Sequence, residues 1–238
     1  LPVVAVPTTA GTGSEVTQYS ILTNDAAETK TSIATPLIFP KLAFLDARYM
    51  SSLKTTTTIN TAIDALSHAV EGMLSVRAST LSDALAKESI ALIASCFGAL
   101  PQDKPAFEVR EKLLCASTLA GMVIANTGTT AVHALGYSLT YYKHVDHGRA
   151  NGLLLAPFLA FIEKTAKDRV AEILACMGLT RVEEFAQRLD ALLGAREQLT
   201  PAEIEHYAEK GSKTGNIANC LIRPEKADLA RVLQTALG

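Results

Sequence analysis

The sequence predicts a mainly α fold, with a helical domain over residues 51–238 and, ahead of it, a short β-rich remnant of an α/β domain over residues 1–50. Two observations carry this. From Ser51 to the C-terminus apolar residues recur at three-and-four spacing, the period of helices that bury one face. Before Ser51 they fall in short runs separated by Gly, Pro and Asn-Asp, the texture of strands and turns. The chain also opens directly on Leu1-Pro2-Val3-Val4-Ala5-Val6, a buried strand already under way without an initiator Met, so an upstream portion is expected.

Taken in order, residues 3–6 read as a strand, 7–15 as a Gly-containing loop and 16–22 as a second strand. Asn24-Asp25 makes a turn, residues 30–34 pair back as a third strand, and 42–46 form a short apolar run ending in an acid. Ser51 or Ser52 is placed to cap the first helix, and the threonines at 55–58, poor helix formers, are expected to delay it to about 59. That helix, 59–74, carries Ile63, Leu66, Ala69, Val70 and Met73 on its apolar face. Further helices follow at 81–100, 107–124, 129–139, 148–165, 167–177, 181–193, 201–210 and 224–237. Thr200-Pro201 starts one of them, and Gly178 and Gly211 stop two others.

Composition narrows the setting. With 48% hydrophobic and 19% charged residues the chain has the make-up of a globular core rather than a disordered tail. A net charge of -2 gives no reason to expect nucleic acid or an anionic membrane surface as partner. No apolar run approaches the ~18 residues of a membrane span, and the longest, 152–162, contains Pro157. Cys96, Cys115, Cys176 and Cys220 are widely spaced with no C-x-x-C pair; all but Cys220 sit in apolar helical stretches. They read as free buried thiols of a reducing compartment, and the expected location is the cytoplasm.

Chemistry concentrates in a few side chains. Asp64 and His68, four apart on a helical pattern, lie one above the other, so a carboxylate oxygen and an imidazole nitrogen can share a cation. Of only five histidines, His133, His144 and His147 fall close together, with His133 among apolar neighbours and His147 at a helix start. Buried imidazoles need partners, and either hydrogen bonds to carbonyls or a shared metal would supply them. One carboxylate and three imidazoles without a thiolate suit iron(II) or zinc, and disfavour calcium, magnesium and copper(I). The loop Pro7-Thr8-Thr9-Ala10-Gly11-Thr12-Gly13-Ser14-Glu15 could approach a phosphate or a nicotinamide closely. It lacks the lysine of a P-loop and the spacing of G-x-G-x-x-G, so a plain connecting turn fits equally well.

That loop, Asp64-Ala65-Leu66-Ser67-His68-Ala69-Val70-Glu71, and His133-Ala134-Leu135-Gly136 followed by His147-Gly148-Arg149-Ala150-Asn151 resemble the signature segments of iron-containing (group III) alcohol dehydrogenases, in the family's order and over essentially the whole chain. The resemblance implies an N-terminal α/β domain binding NAD or NADP and a C-terminal helical domain holding the metal. Carried over by position, Asp64, His68, His133 and His147 fall on the metal ligands, iron(II) with zinc as the alternative. Thr8, Thr9, Gly11, Thr12, Gly13 and Ser14 fall on the cofactor-contacting segment, and Lys30 matches a lysine that approaches the cofactor. Tyr137 occupies a position near the nicotinamide where relatives often have histidine; His144 either serves a proton relay at the cleft or is a solvated surface residue. The implied reaction is hydride transfer between a small alcohol or diol (or the corresponding aldehyde) and the nicotinamide, in a homo-oligomer.

Two departures stand out. Asp146 replaces the proline that relatives usually carry before the His-Gly pair. The family's Gly-Gly-Gly-Ser pyrophosphate loop is absent from the sequence, so the chain is expected not to turn over alone. Two other readings compete: a zinc enzyme of the glycerol-dehydrogenase or dehydroquinate-synthase kind, whose ligand set differs, and a non-catalytic helical fragment that needs no metal.

Overall fold

The computed structural model describes residues 2–238. Its organising element is helix α1 (Thr55–Met73), in which every residue from Ala62 to Met73 is buried. A helix surrounded on all sides must bury apolar residues all round it, and Ile63, Leu66, Ala69 and Val70 are 0% exposed, while the polar Asp64, Ser67, His68 and Glu71 are buried among them. Around it pack α2 (Thr80–Cys96), α3 (Phe107–Thr127) and α5 (His147–Glu163), with α4 (Ala131–Tyr142) alongside α5. Helices α6 (Lys167–Cys176), α7 (Val182–Leu193), α8 (Pro201–Ser212) and α9 (Lys226–Leu237) complete the domain, α8 and α9 packing together against α4 and α5. The mainly helical architecture expected from the period of the apolar residues is the one found.

Two boundaries differ for local reasons. Helix α1 begins at Thr55, not near 59, and Lys54 rather than a serine stands at its N-cap. The threonines do not delay it because their hydroxyls bond carbonyls one turn back: Thr58 Oγ1 donates to the Lys54 carbonyl at 3.1 Å and Thr61 Oγ1 to that of Thr57 at 2.9 Å. In the opening segment, residues 14–16 form a 3₁₀ turn, so the second strand starts three residues later than expected. Cys115 is exposed on α3 rather than buried; the four thiols are all unpaired.

Residues 2–50 hold two small sheets. β1 (Val4–Ala5) pairs in parallel with β4 (Leu42–Ala43), while β2 (Tyr19–Asn24) and β3 (Thr29–Ala34) form an antiparallel hairpin. No residue of either hairpin strand is buried. Polar contacts hold it instead. At its root Gln18 Nε2 donates to the Ala125 carbonyl and Tyr19 Oη to that of Ile124. At its tip Tyr142 Oη donates to Glu28 at 3.0 Å and Lys210 Nζ to the Ala27 carbonyl at 2.9 Å. The loop before β2 meets the core through backbone. Gly13, at φ +59°, lies against Gly121 of α3, where a Cβ would come within 2.5 Å of the Gly121 Cα.

Among the described residues no single helix is long and apolar enough to cross a membrane; α3 and α4 together reach that length but meet at 109°.

Candidate metal centre and cleft

Three helices deliver the cluster. Asp64 and His68 share one face of α1, His133 sits in the first turn of α4, and His147 is the first residue of α5. The start of α5 is fixed by Asp146, whose side chain caps the helix by accepting from the Gly148 amide at 3.2 Å. Gly148 then lets α5 lie directly on α1: a Cβ would collide with the Asn60 carbonyl and stand 3.1 Å from Asp64 Cβ.

The donor atoms converge. Asp64 Oδ1 stands 3.9 Å from His68 Nε2, 3.8 Å from His133 Nε2 and 3.8 Å from His147 Nε2. Four ligands arranged tetrahedrally at about 2.0–2.2 Å from one ion lie roughly 3.3–3.6 Å from each other. Each imidazole nitrogen thus stands within a few tenths of an ångström of that spacing from the shared carboxylate oxygen. Asp64, His133 and His147 form the tightest group, with donor atoms all within 4.8 Å of one another. His68 joins from the side, its ring stacked on that of His133 at 4.8 Å.

Protonation favours ligation. Burial pulls His68 down to about 4, against the attraction of Asp64, so at neutral pH its ring is uncharged. Burial lowers His147 as well, and Lys30 and His133 add repulsion. Asp64 is pushed up by burial, but the three imidazoles and a hydrogen bond from Asn151 outweigh this and keep it ionised. His133 moves the other way: burial depresses it, yet the adjoining carboxylate of Glu71 wins and raises it.

Glu71 and Asn151, to which the sequence reading assigns no role, hydrogen-bond directly to residues of the cluster. Glu71, 0% exposed, places Oε1 on the amide of Thr130 (2.8 Å), the hydroxyl of Thr130 (2.8 Å) and the amide of His133 (3.3 Å), while Oε2 meets His133 Nδ1. Asn151, one turn after His147, donates from Nδ2 to Asp64 Oδ1 at 2.9 Å and faces Nε2 of His133 at 3.1 Å. Helical spacing held a signal for both: Glu71 lies seven residues after Asp64 and Asn151 four after His147, each on the ligand face of an apolar helix.

The cluster opens on a cleft of 1910 Å³ whose opposite wall is the β2–β3 hairpin. The remaining candidates divide along it. Thr12, Ser14 and Lys30 line the cleft, Lys30 Nζ donating to Thr23 Oγ1 at 3.0 Å. Thr8 and Thr9 do not line it, and Gly11 and Gly13 spend their missing side chains on Thr61 and Gly121 of the core rather than on a ligand. Tyr137 borders both the cleft and the cluster, stacked on His147 at 5.9 Å. Burial pushes its phenol up to about 12, so at neutral pH it keeps its proton. Of the two readings of His144 the surface one agrees with its placement: it is exposed, held at φ +53° just before α5, and not among the residues lining the cleft. The fifth histidine, His206 on α8, lines the cleft instead, facing Tyr142 Oη at 3.2 Å.

Comparison with known proteins follows the same division. Residues 58–235 match the family described as "Fe-containing alcohol dehydrogenase family, C-terminal", and residues 1–47 match "Iron-containing alcohol dehydrogenase". A probable alcohol dehydrogenase, EutG, of Salmonella typhimurium is 34% identical over 90% of this chain and 53% of its own length. The crystal structure of an iron-containing alcohol dehydrogenase from Thermotoga maritima superposes with a TM-score of 0.89 at 40% identity, covering 100% of this chain and 64% of that one. A sulfoacetaldehyde reductase from Bifidobacterium kashiwanohense, solved in complex with NAD+, superposes at 0.88 with 30% identity, covering 99% and 65%. The chain spans about half the length of the curated relatives it matches.

Proposed function

This chain belongs to the iron-containing alcohol dehydrogenase family, and from that premise we propose that Asp64, His68, His133 and His147 hold one divalent transition-metal ion, iron(II) or zinc, at the catalytic centre of an NAD(P)-dependent alcohol dehydrogenase or aldehyde reductase. The observation that carries this reading is the convergence of three imidazole nitrogens on one carboxylate oxygen at 3.8–3.9 Å. A bound divalent ion supplies Lewis acidity, which polarises a carbonyl and acidifies an alcohol.

The protein's own groups do the rest. Neutral His68 and His147 present lone pairs, and ionised Asp64 brings the net charge of a divalent site to about +1. Tyr137, protonated beside the cluster, is placed to donate a hydrogen bond to a substrate oxygen. Thr12, Ser14 and Lys30 line the wall where a nicotinamide cofactor is proposed to lie, with Lys30 supplying the positive charge. The substrate is a small alcohol, diol or the corresponding aldehyde.

Residues 1–50 are proposed to belong to a dinucleotide-binding α/β domain and 51–238 to the catalytic domain. The separate family matches on either side of residue 50 support that division. So do the apolar side chains left open on β1 and β4, Val4 at 56% and Leu42 at 50% exposure, which suit strands inside a larger sheet. Homo-oligomeric assembly and a cytoplasmic setting accompany the proposal.

The test is metal content. The chain is purified without oxygen and analysed by mass spectrometry beside a His133→Ala, His147→Ala double variant. About one iron or zinc per chain, lost in the double variant, is the expected result; equal content in both, or none in either, would count against the ligand assignment.

A further inference from the structure

Glu71 has no place in the ligand set, yet it is fully buried directly behind it. Its two oxygens face different demands. Oε1 receives two backbone amides and a hydroxyl, from Thr130 and His133, at the first turn of α4. Backbone amides can only donate, so whatever stands at this point must accept. Oε2, also an acceptor in the ionised carboxylate, meets His133 Nδ1, which must then carry the ring proton. From the other side of the ring, Asn151 Nδ2, which donates one hydrogen to Asp64 Oδ1, lies 3.1 Å from His133 Nε2 and 3.3 Å from His147 Nε2, so a donor nitrogen faces His133 Nε2 and disfavours a proton there. Both neighbours ask for the same tautomer.

We propose that Glu71 is a positioning residue that locks His133 in the Nδ1–H tautomer, so that the bare Nε2 faces Asp64 and the cation site. The proposal rests on the reading of the cluster as a metal centre, and it makes an unusual demand of a conservative substitution. In Glu71→Gln the shape of the side chain is kept, but the amide must choose its orientation. Its NH2 cannot replace Oε1, where it would confront two N–H groups. The amide oxygen therefore takes the Oε1 position and the NH2 falls opposite His133 Nδ1, to which it donates. The ring must then accept at Nδ1 and hold its proton on Nε2, aimed at the metal. A near-isosteric change is thus expected to invert the tautomer and to weaken metal binding by about 10–100-fold, the usual scale for loss of a partner behind a ligating histidine.

The experiment uses the full chain, metal-free and labelled with nitrogen-15 in its histidines, at a pH where the rings are neutral. Long-range proton–nitrogen NMR reads which ring nitrogen carries the proton, with His133 assigned by the signal missing from a His133→Gln variant. Zinc(II) affinity is measured in parallel by competition with a chromophoric chelator. Wild type is expected to show His133 protonated at Nδ1 and Glu71→Gln at Nε2, with affinity reduced in the variant. A purely structural Glu71 would lower the melting temperature of the variant without exchanging the tautomer. Nε2–H in the wild type, or an unchanged tautomer and affinity in Glu71→Gln, would overturn the proposal. Should Glu71→Gln fail to fold, the wild-type spectrum alone decides. Nδ1–H in a wild type that binds no zinc would support the tautomer lock and sink the metal reading.

Discussion

The face of α1 that carries Asp64 and the β2–β3 hairpin border the same cleft from opposite sides, but they are held there by different forces. The helical side is built into the core. Its polar residues sit among side chains at or near 0% exposure, and Asp64, Glu71, Thr130, His133 and Asn151 are joined by hydrogen bonds of 2.8–3.3 Å. The hairpin buries none of its strand residues and is attached at its root and tip by tyrosine, glutamine and lysine contacts. A buried network resists displacement because each broken bond strands a partner without water, whereas a surface contact is replaced by solvent at little cost. One wall of the cleft is therefore expected to stay fixed while the other opens by local fluctuation.

The sharpest attempt to break this contrast is Gly148→Ala. The added methyl would run into the Asn60 carbonyl and press on Asp64. A loss of about 3 kcal/mol is expected, at the upper end for overpacking, seen as a lower urea midpoint with an unchanged slope. A neutral result would mean that α5 shifts easily on α1 and that the fixed wall is not fixed. Next in size is Gly13→Ala, at the point where the opening segment touches α3. Its positive φ and the approach of Gly121 set an expected cost of about 1–2 kcal/mol in the same assay.

Smaller still is the effect of untying the hairpin tip with Tyr142→Phe and Lys210→Ala together. Global stability is expected to fall by no more than about 1 kcal/mol. Amide exchange across residues 19–34 should nonetheless accelerate several-fold while that of α1 stays unchanged. Equal acceleration in α1 would show that the two walls open as one unit. Last comes Leu22→Ser on the hairpin, 50% exposed, where the midpoint should move by no more than about 0.5 kcal/mol.

The two walls were also unequally legible in the sequence. Asp64 and His68 could be paired because four-residue spacing on a periodic apolar helix fixes which side chains meet. His133 and His147 were found by type and neighbourhood, although nothing local says that the starts of α4 and α5 come together at α1. Glu71 is given no role by its sequence context, since glutamate in a helix is ordinarily solvated. Here the helix is buried on every side, and a carboxylate at such a position must have a partner. The glycines of the opening loop were harder. Their need for close approach is visible, but the surfaces they approach, Thr61 of α1 for Gly11 and Gly121 of α3 for Gly13, lie far along the chain, and a ligand would leave the same pattern. Between the two readings of His144 the sequence offers no choice, because proximity to His147 counts for little when His144 itself takes a left-handed conformation and turns the chain.

That the donors come from three separate helices ties occupancy of the site to the integrity of the whole domain. An unfolded chain cannot gather Asp64, His133 and His147 around one ion, so a cation that binds there binds the native state alone. By mass action such a ligand adds about 2.7 kcal/mol of stability at a free concentration one hundred times its dissociation constant. For a domain whose net stability is on the order of 5–15 kcal/mol, that is a substantial share. Chelation would then register first as a lower melting temperature, and the lifetime of the protein would follow the supply of metal.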